Sequence, residues 1–148
     1  FTIYTSHLYP VQFELNDDET ITIRSEFFDE VRTVYMDGRE HPVGGTRTLS
    51  GHSIGRWDDG TLVVDTTHFA DHRAPYQNGV PSGAQKHVIE RYRLSDDGTR
   101  VTAEFTLEDP EYLAEPLVHS RELIYSPDVE IDPYNCDPQT TTRFLPQP

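Results

Sequence analysis

The 148-residue chain contains one cysteine, Cys136, and one lysine, Lys86. A single cysteine excludes an internal disulfide and leaves the redox compartment open. Positive charge is scarce: 12 lysines and arginines stand against 26 aspartates and glutamates, for a net charge of −14. Such a surface repels nucleic acid and anionic membranes, so neither is expected as a partner. No run of about 18 apolar residues occurs, which excludes a transmembrane helix of ordinary length. Helical periodicity is also nearly missing. The chain starts at Phe1 rather than methionine, and removal of an N-terminal segment such as a signal peptide is expected.

What remains is polar but built to pack. Hydrophobic residues make up 34%, and eight tyrosines, seven phenylalanines and one tryptophan argue for a core within a single domain. Period-two alternation recurs over Val11–Asn16, Thr20–Phe27, Val31–Met36, His52–Trp57, Leu62–Thr67, His87–Leu94, Val101–Glu108 and Leu117–Tyr125. Between these strands stand Asn16-Asp17-Asp18, Asp37-Gly38, Asp58-Asp59-Gly60-Thr61 and Asp96-Asp97-Gly98-Thr99. Asp and Gly tolerate the backbone angles that hairpin turns need. Short connections make neighbours antiparallel, and closure removes exposed edges. The expected fold is therefore all-β, an antiparallel meander closing into a lipocalin-like barrel of about eight strands. Two loops, Glu40–Ser50 and His68–Gln85, are expected to frame its mouth, and Asp109–Pro116 to hold one helical turn. The Pro- and Asp-rich stretch 126–148 reads as an extended tail, lying across the body or serving a second subunit in a homo-oligomer.

Four-residue turns fix the pairing within two hairpins. In the second, Leu94 meets Val101, Tyr92 meets Ala103, Glu90 meets Phe105 and Val88 meets Leu107. That face is apolar except for Glu90, while His87, Arg91 and Arg93 take the solvated one. An inward carboxylate needs a partner, such as Arg56 or His52, or a raised pKa. In the first hairpin, Trp57, Gly55, Ser53, Leu62, Val64 and Thr66 share one face, and His52, Ile54, Arg56, Val63, Asp65 and Thr67 the other. The second set is expected to point inward, although a one-residue slip reverses that choice. His52, Arg56, Asp65 and Glu90 would then meet in one cavity.

That quartet suits general acid–base chemistry. His52 is the candidate proton shuttle, Glu90 or Asp65 its carboxylate partner or the base, and Arg56 the anion stabiliser. A structural ion-pair network across strands is the competing reading. Tyr35, Trp57, Tyr76, His87, Tyr92 and Phe105 are the candidate substrate-binding residues, with core packing the ordinary alternative for the aromatics. Seven histidines raise the question of metal. His68 and His72 have ligand spacing without a helix to carry it, and His41, His87 and His119 are scattered, so neither metal nor cofactor is expected. No nucleophile motif surrounds Ser53 or Cys136.

Tyr35-Met36-Asp37-Gly38-Arg39 with His41-Pro42, Gly51-His52-Ser53-Ile54-Gly55-Arg56-Trp57, Leu62-Val63-Val64-Asp65-Thr66, and His87 with Glu90-Arg91 resemble a family of uncharacterised bacterial β-barrel proteins. The resemblance spans roughly residues 30 to 125; the loop from His68 to Gln85 and the acidic tail depart from it. Because members are mostly predicted to be secreted or periplasmic, it implies an extracytoplasmic location, and it brings no chemistry with it. The leading expectation is a cofactor-independent lyase, isomerase or hydratase acting on a small apolar or aromatic molecule within the barrel. A non-catalytic carrier of such a ligand comes next, and a structural or interaction module third.

Overall fold

The computed structural model describes residues 9–71 and 82–133. Eight strands follow one another: β1 (Val11–Asn16), β2 (Thr20–Ser25), β3 (Glu30–Tyr35), β4 (His52–Asp58), β5 (Thr61–Thr67), β6 (His87–Leu94), β7 (Arg100–Glu108) and β8 (Leu117–Ile124). They form one sheet in sequence order, curled into a half-barrel consistent with the lipocalin-like barrel expected. Strand β2 ends two residues short of expectation, because Phe27–Asp29 tightens into a 3₁₀ turn with Phe28 in the left-handed region (φ 60°). The segment after β7 is the single helical turn foreseen, with Tyr112 and Leu113 amides both donating to the Asp109 carbonyl.

All neighbours are antiparallel except β3 and β4, which run parallel through Val34↔Ser53 and Tyr35↔Ile54. Parallel neighbours cannot be joined by a tight turn, since the chain must first return to its starting end. Residues 36–51 make that return, and the detour places the loop where the site forms.

Both hairpin registers stand as expected. Trp57 pairs with Leu62 and Leu94 with Val101. At the first turn Asp59 (φ 46°) and Gly60 (φ 74°) are both left-handed, the signature of a two-residue hairpin turn matched to strand twist. The inward face of the first hairpin, however, is the reverse of the one expected. Val64 pairs with Glu90, and Leu62 with Tyr92, so Ser53, Gly55, Leu62, Val64 and Thr66 face the core. His52, Ile54, Arg56, Asp65 and Thr67 face outward. The cause lies in β5, where Leu62, Val63 and Val64 are all buried and alternation loses its sign.

The inner face is filled by Ile21, Ile23, Val34, Leu62, Val64, Tyr92, Ala103 and Phe105, with Phe13 edge-on to Tyr92 at 4.9 Å. Gly55 belongs here by necessity: a Cβ would stand 2.5 Å from Met36 Sδ and 2.7 Å from Val34 Cγ1. Beyond β8 the expected tail turns at Ser126–Val129, and its Asp132 amide donates to Glu26 Oε2 at 3.2 Å. Its remainder, with Cys136, falls outside the described residues.

Candidate functional site

The outward ends of β4, β5 and β6 converge because antiparallel neighbours put the start of one strand beside the end of the next. His52 opens β4, His68 follows β5 and His87 opens β6. Gly51 sets the approach to His52. Its φ is +74°, and a Cβ there would meet the Thr67 carbonyl oxygen at 2.6 Å and Thr66 Cγ2 at 2.8 Å. His68 is itself left-handed (φ 58°), a conformation costing of order 1 kcal/mol outside glycine. Its Nδ1 sits 2.8 Å from Thr67 Oγ1. The loop from β3 is tied down over these strands. The Thr48 amide donates to the His68 carbonyl (3.1 Å), the Ala70 amide to the Thr48 carbonyl (2.7 Å), and Arg47 Nη1 to the Phe69 and Ala84 carbonyls.

That anchoring carries His41 onto the strands. His41 Nδ1 lies 2.9 Å from His52 Nδ1, and His41 Nε2 lies 3.1 Å from Asp65 Oδ1. The same Asp65 Oδ1 takes His87 Nε2 at 2.8 Å, and His87 Nδ1 reaches Glu108 Oε2 at 3.1 Å. Tyr35 stacks on His52 at 5.3 Å, and the Arg39 guanidinium lies 3.8 Å from the Tyr35 ring centre on its fork from Asp37. His68 completes the cluster, 6.0 Å from His41 and 6.2 Å from His52 between ring centres.

Donor counting assigns the protons. Ionised carboxylates only accept, so His41 donates through Nε2 to Asp65. A neutral His41 then accepts at Nδ1 from His52 Nδ1–H, which leaves His52 Nε2 with a free lone pair. His87 faces a carboxylate at each nitrogen and donates to both only as the imidazolium. The electrostatics agree. The hydrogen bond to Asp65 holds the His87 pKa above the ordinary histidine value, against the opposing effect of burial. Burial, then the charges of His41, His68 and Arg39, push His52 below it. The hydrogen bond from His87 depresses Asp65.

The quartet expected from the sequence is thus divided by the sheet. His52 and Asp65 share the outer cluster, joined through His41. Arg56 stands four residues along β4 from His52, about 13 Å away, exposed and outside the cluster. Glu90 lies on the inner face, fully buried, and its partner is Arg32 rather than Arg56 or His52. Arg32 Nη2 donates to Glu90 Oε1 at 2.7 Å and Nη1 stands 2.6 Å from Oε2, while Tyr92 donates to Oε1 at 2.6 Å. Burial works against the Arg32 charge, but attraction to Glu90, Tyr92 and Glu30 together with the Glu90 hydrogen bond outweighs it and raises the pKa. Burial and then Glu90 push the Tyr92 hydroxyl well above its usual value.

Of the expected binding residues, Tyr35 and His87 join the cluster and Tyr92 and Phe105 belong to the core. Trp57 is 57% exposed at the hairpin tip. Tyr76 and His72 fall outside the described residues. His119 lies on β8, accepting from Arg121 Nε at 3.0 Å and apart from the cluster. Sequence reasoning quoted Arg39 and His41 within the resembling motifs without giving either a role at the site, and did not single out Glu108 or Arg32. One signal was available: His52, His68 and His87 mark strand ends at the same edge of the meander.

Among the described residues no group of three or more His, Cys, Asp or Glu side chains is placed to hold a metal ion, and no helix is long and apolar enough to cross a membrane. No protein-family model, curated protein or solved structure matches the chain.

Proposed function

We propose that the chain is an acid–base enzyme of the isomerase or lyase type, working on a small molecule at the outer cluster. One observation carries this: two histidines bound to the same relay are pushed in opposite directions, His52 below and His87 above the ordinary value. Titratable groups driven apart by their surroundings are the mark of an assigned base and acid. His52 Nε2 removes a proton from a C–H bond next to a carbonyl. His87 gives a proton to the oxygen or leaving group, with the half-exposed Glu108 the acceptor that substrate replaces. In an isomerisation the C=C pair shifts by one bond as His52 delivers the proton to the carbon two positions along, and the enol O–H returns its proton to His87; in an elimination the C–H pair becomes the new C=C bond and the leaving group departs protonated. In the elimination the contacts from His52 through His41 and Asp65 to His87 return the proton and reset the pair. An extracytoplasmic location belongs to the same reading, supported by the acidic composition and the family resemblance.

Solvent exchange tests this without knowledge of the substrate. A panel of small aromatic and alicyclic ketones in D₂O, followed by proton NMR, should show enzyme-dependent loss of one C–H signal. His52→Gln should slow that exchange about 10²–10⁴-fold, the usual worth of general base catalysis. Exchange at the buffer rate across the whole panel, or unchanged in His52→Gln, defeats the proposal.

A further inference from the structure

We infer that residues 37–46 form a flap pinned near neutral pH by one side chain, His41, and released when His41 and the His52 it touches both become imidazolium. The inference concerns the loop and stands without the catalytic reading. Backbone bonds that do not titrate fix both ends of the segment. The Met36 amide donates to the Glu19 carbonyl at 2.8 Å, and the Thr48 amide to the His68 carbonyl at 3.1 Å. Between them every residue is exposed except His41, and Val43 wholly so. Gly44 has nothing within 4 Å of where a Cβ would stand, so no packing seats the turn of the flap. Its other contact with the strands is the exposed Arg39 guanidinium, 3.8 Å from the Tyr35 ring centre. Arginine keeps its charge throughout the range in which histidine titrates, so that contact cannot switch.

The pin depends on one shared hydrogen. His52 Nδ1–H donates to the His41 Nδ1 lone pair across 2.9 Å, while His41 Nε2–H donates to Asp65 Oδ1. A first proton goes to the free Nε2 of His52 and leaves that contact standing. A second must take the His41 Nδ1 lone pair, and two N–H groups then face each other where one bond was. The two charged rings, with centres 5.1 Å apart, repel, and His68 at 6.0 and 6.2 Å adds a third charge once protonated. The other groups around the pair do not offset this. Asp65 on β5 is the one carboxylate His41 meets among the described residues, and it is shared with His87 of β6, which also faces Glu108 of β7. Tyr35 of β3 is an uncharged ring, and Arg39 is paired with Asp37 inside the flap. Burial, then the charges of His41, His68 and Arg39, already hold His52 below the ordinary histidine value. The pair titrates as a coupled unit and takes its second charge only in acid. Docking is therefore the high-pH state, lost as pH falls through that second step.

Backbone ¹⁵N relaxation of the whole chain reads the flap directly. At about pH 7.5 the amides of Glu40, His41 and Gly44 should approach the order parameter of a rigid backbone, about 0.85. At about pH 5, between the ordinary carboxylate and histidine values, they should fall below about 0.6 while Val34 and Val64 in the core stay unchanged. His41→Ala should be mobile at both pH values. His52→Asn is the decisive variant: its amide donates to a neutral His41 and, turned over, accepts from a charged one, so its flap should stay docked in acid. His119→Gln, apart from the cluster on β8, should behave as the parent chain does. Equal order at the two pH values in the parent chain overturns the inference. So does an ordered flap in His41→Ala, full release in His52→Asn, or loss of order in the core at the same pH as in the flap. Failure of the proposed catalysis would leave each of these readings as it is.

Discussion

Strands β5 and β6 carry a polar network on each face, and the two behave as opposites. On the inner face Arg32, Glu90 and Tyr92 are sealed in apolar packing, with Glu90 wholly out of water. On the outer face the His41, Asp65 and His87 side chains stay one-fifth to one-third exposed, and His52 is half-buried. Both contain a carboxylate receiving charge-assisted hydrogen bonds. Burial decides what each is for. In a low-dielectric interior, removing a proton from the pair leaves a charge with no water to relieve it, so the inner network is held in one state. Partial exposure leaves water beside His52 and His87 to relieve a change of charge, and Asp65 lies in the hydrogen-bonded path between them.

The sharpest way to break this contrast is to unpair the inner ion pair. Glu90→Ala or Arg32→Ala leaves a buried charge alone and should cost about 3–5 kcal/mol in denaturant unfolding. Replacing both partners with methionine should recover most of that loss. A cost below about 1 kcal/mol would mean the inner face admits water, and the contrast would collapse.

Backbone geometry gives an intermediate effect. Gly51→Ala meets both a left-handed φ and the Thr67 carbonyl, so it should destabilise by about 2 kcal/mol and displace His52. Gly38→Ala has a similar φ (+77°) but open space around it, and should cost about 1 kcal/mol. Equal costs, measured as shifts in the urea midpoint, would remove the tight approach as the reason for glycine before His52.

The smallest effect on stability should come from the outer face, and it has a defined sign. His87 has a folded-state pKa raised above its unfolded value, so its contribution is complete below about pH 6.5 and disappears as pH rises through the folded value. Asp65, depressed, contributes above about pH 3.9 and loses that contribution as pH falls through its folded value. Asp65→Asn should bring the His87 titration, followed by NMR, down toward the ordinary range. The stability change should stay below about 1 kcal/mol, since the partners are partly solvated. His52 should titrate below the ordinary value in the same spectra, and coincident titrations of His52 and His87 would erase the assignment of base and acid.

Local chemistry made much of this molecule legible in advance. Alternation located all eight strands to within two residues, and the Asp-Asp-Gly-Thr turns set both hairpin registers, because turn geometry and side-chain period act over a few residues. The pairing of Glu90 with Phe105, and hence its inward direction, followed from the same signals. Three features needed the folded chain. The inward face of β4 and β5 was decided by β5–β6 pairing across residues 68–86, where a strand apolar on both sides offers no alternation to read. Arg32 reaches Glu90 from 58 positions away, and His41 reaches His52 only because residues 36–51 return to make β4 parallel to β3. Turn propensity and period-two alternation are properties of neighbouring residues; which networks are sealed and which meet water depends on packing between segments far apart in the chain.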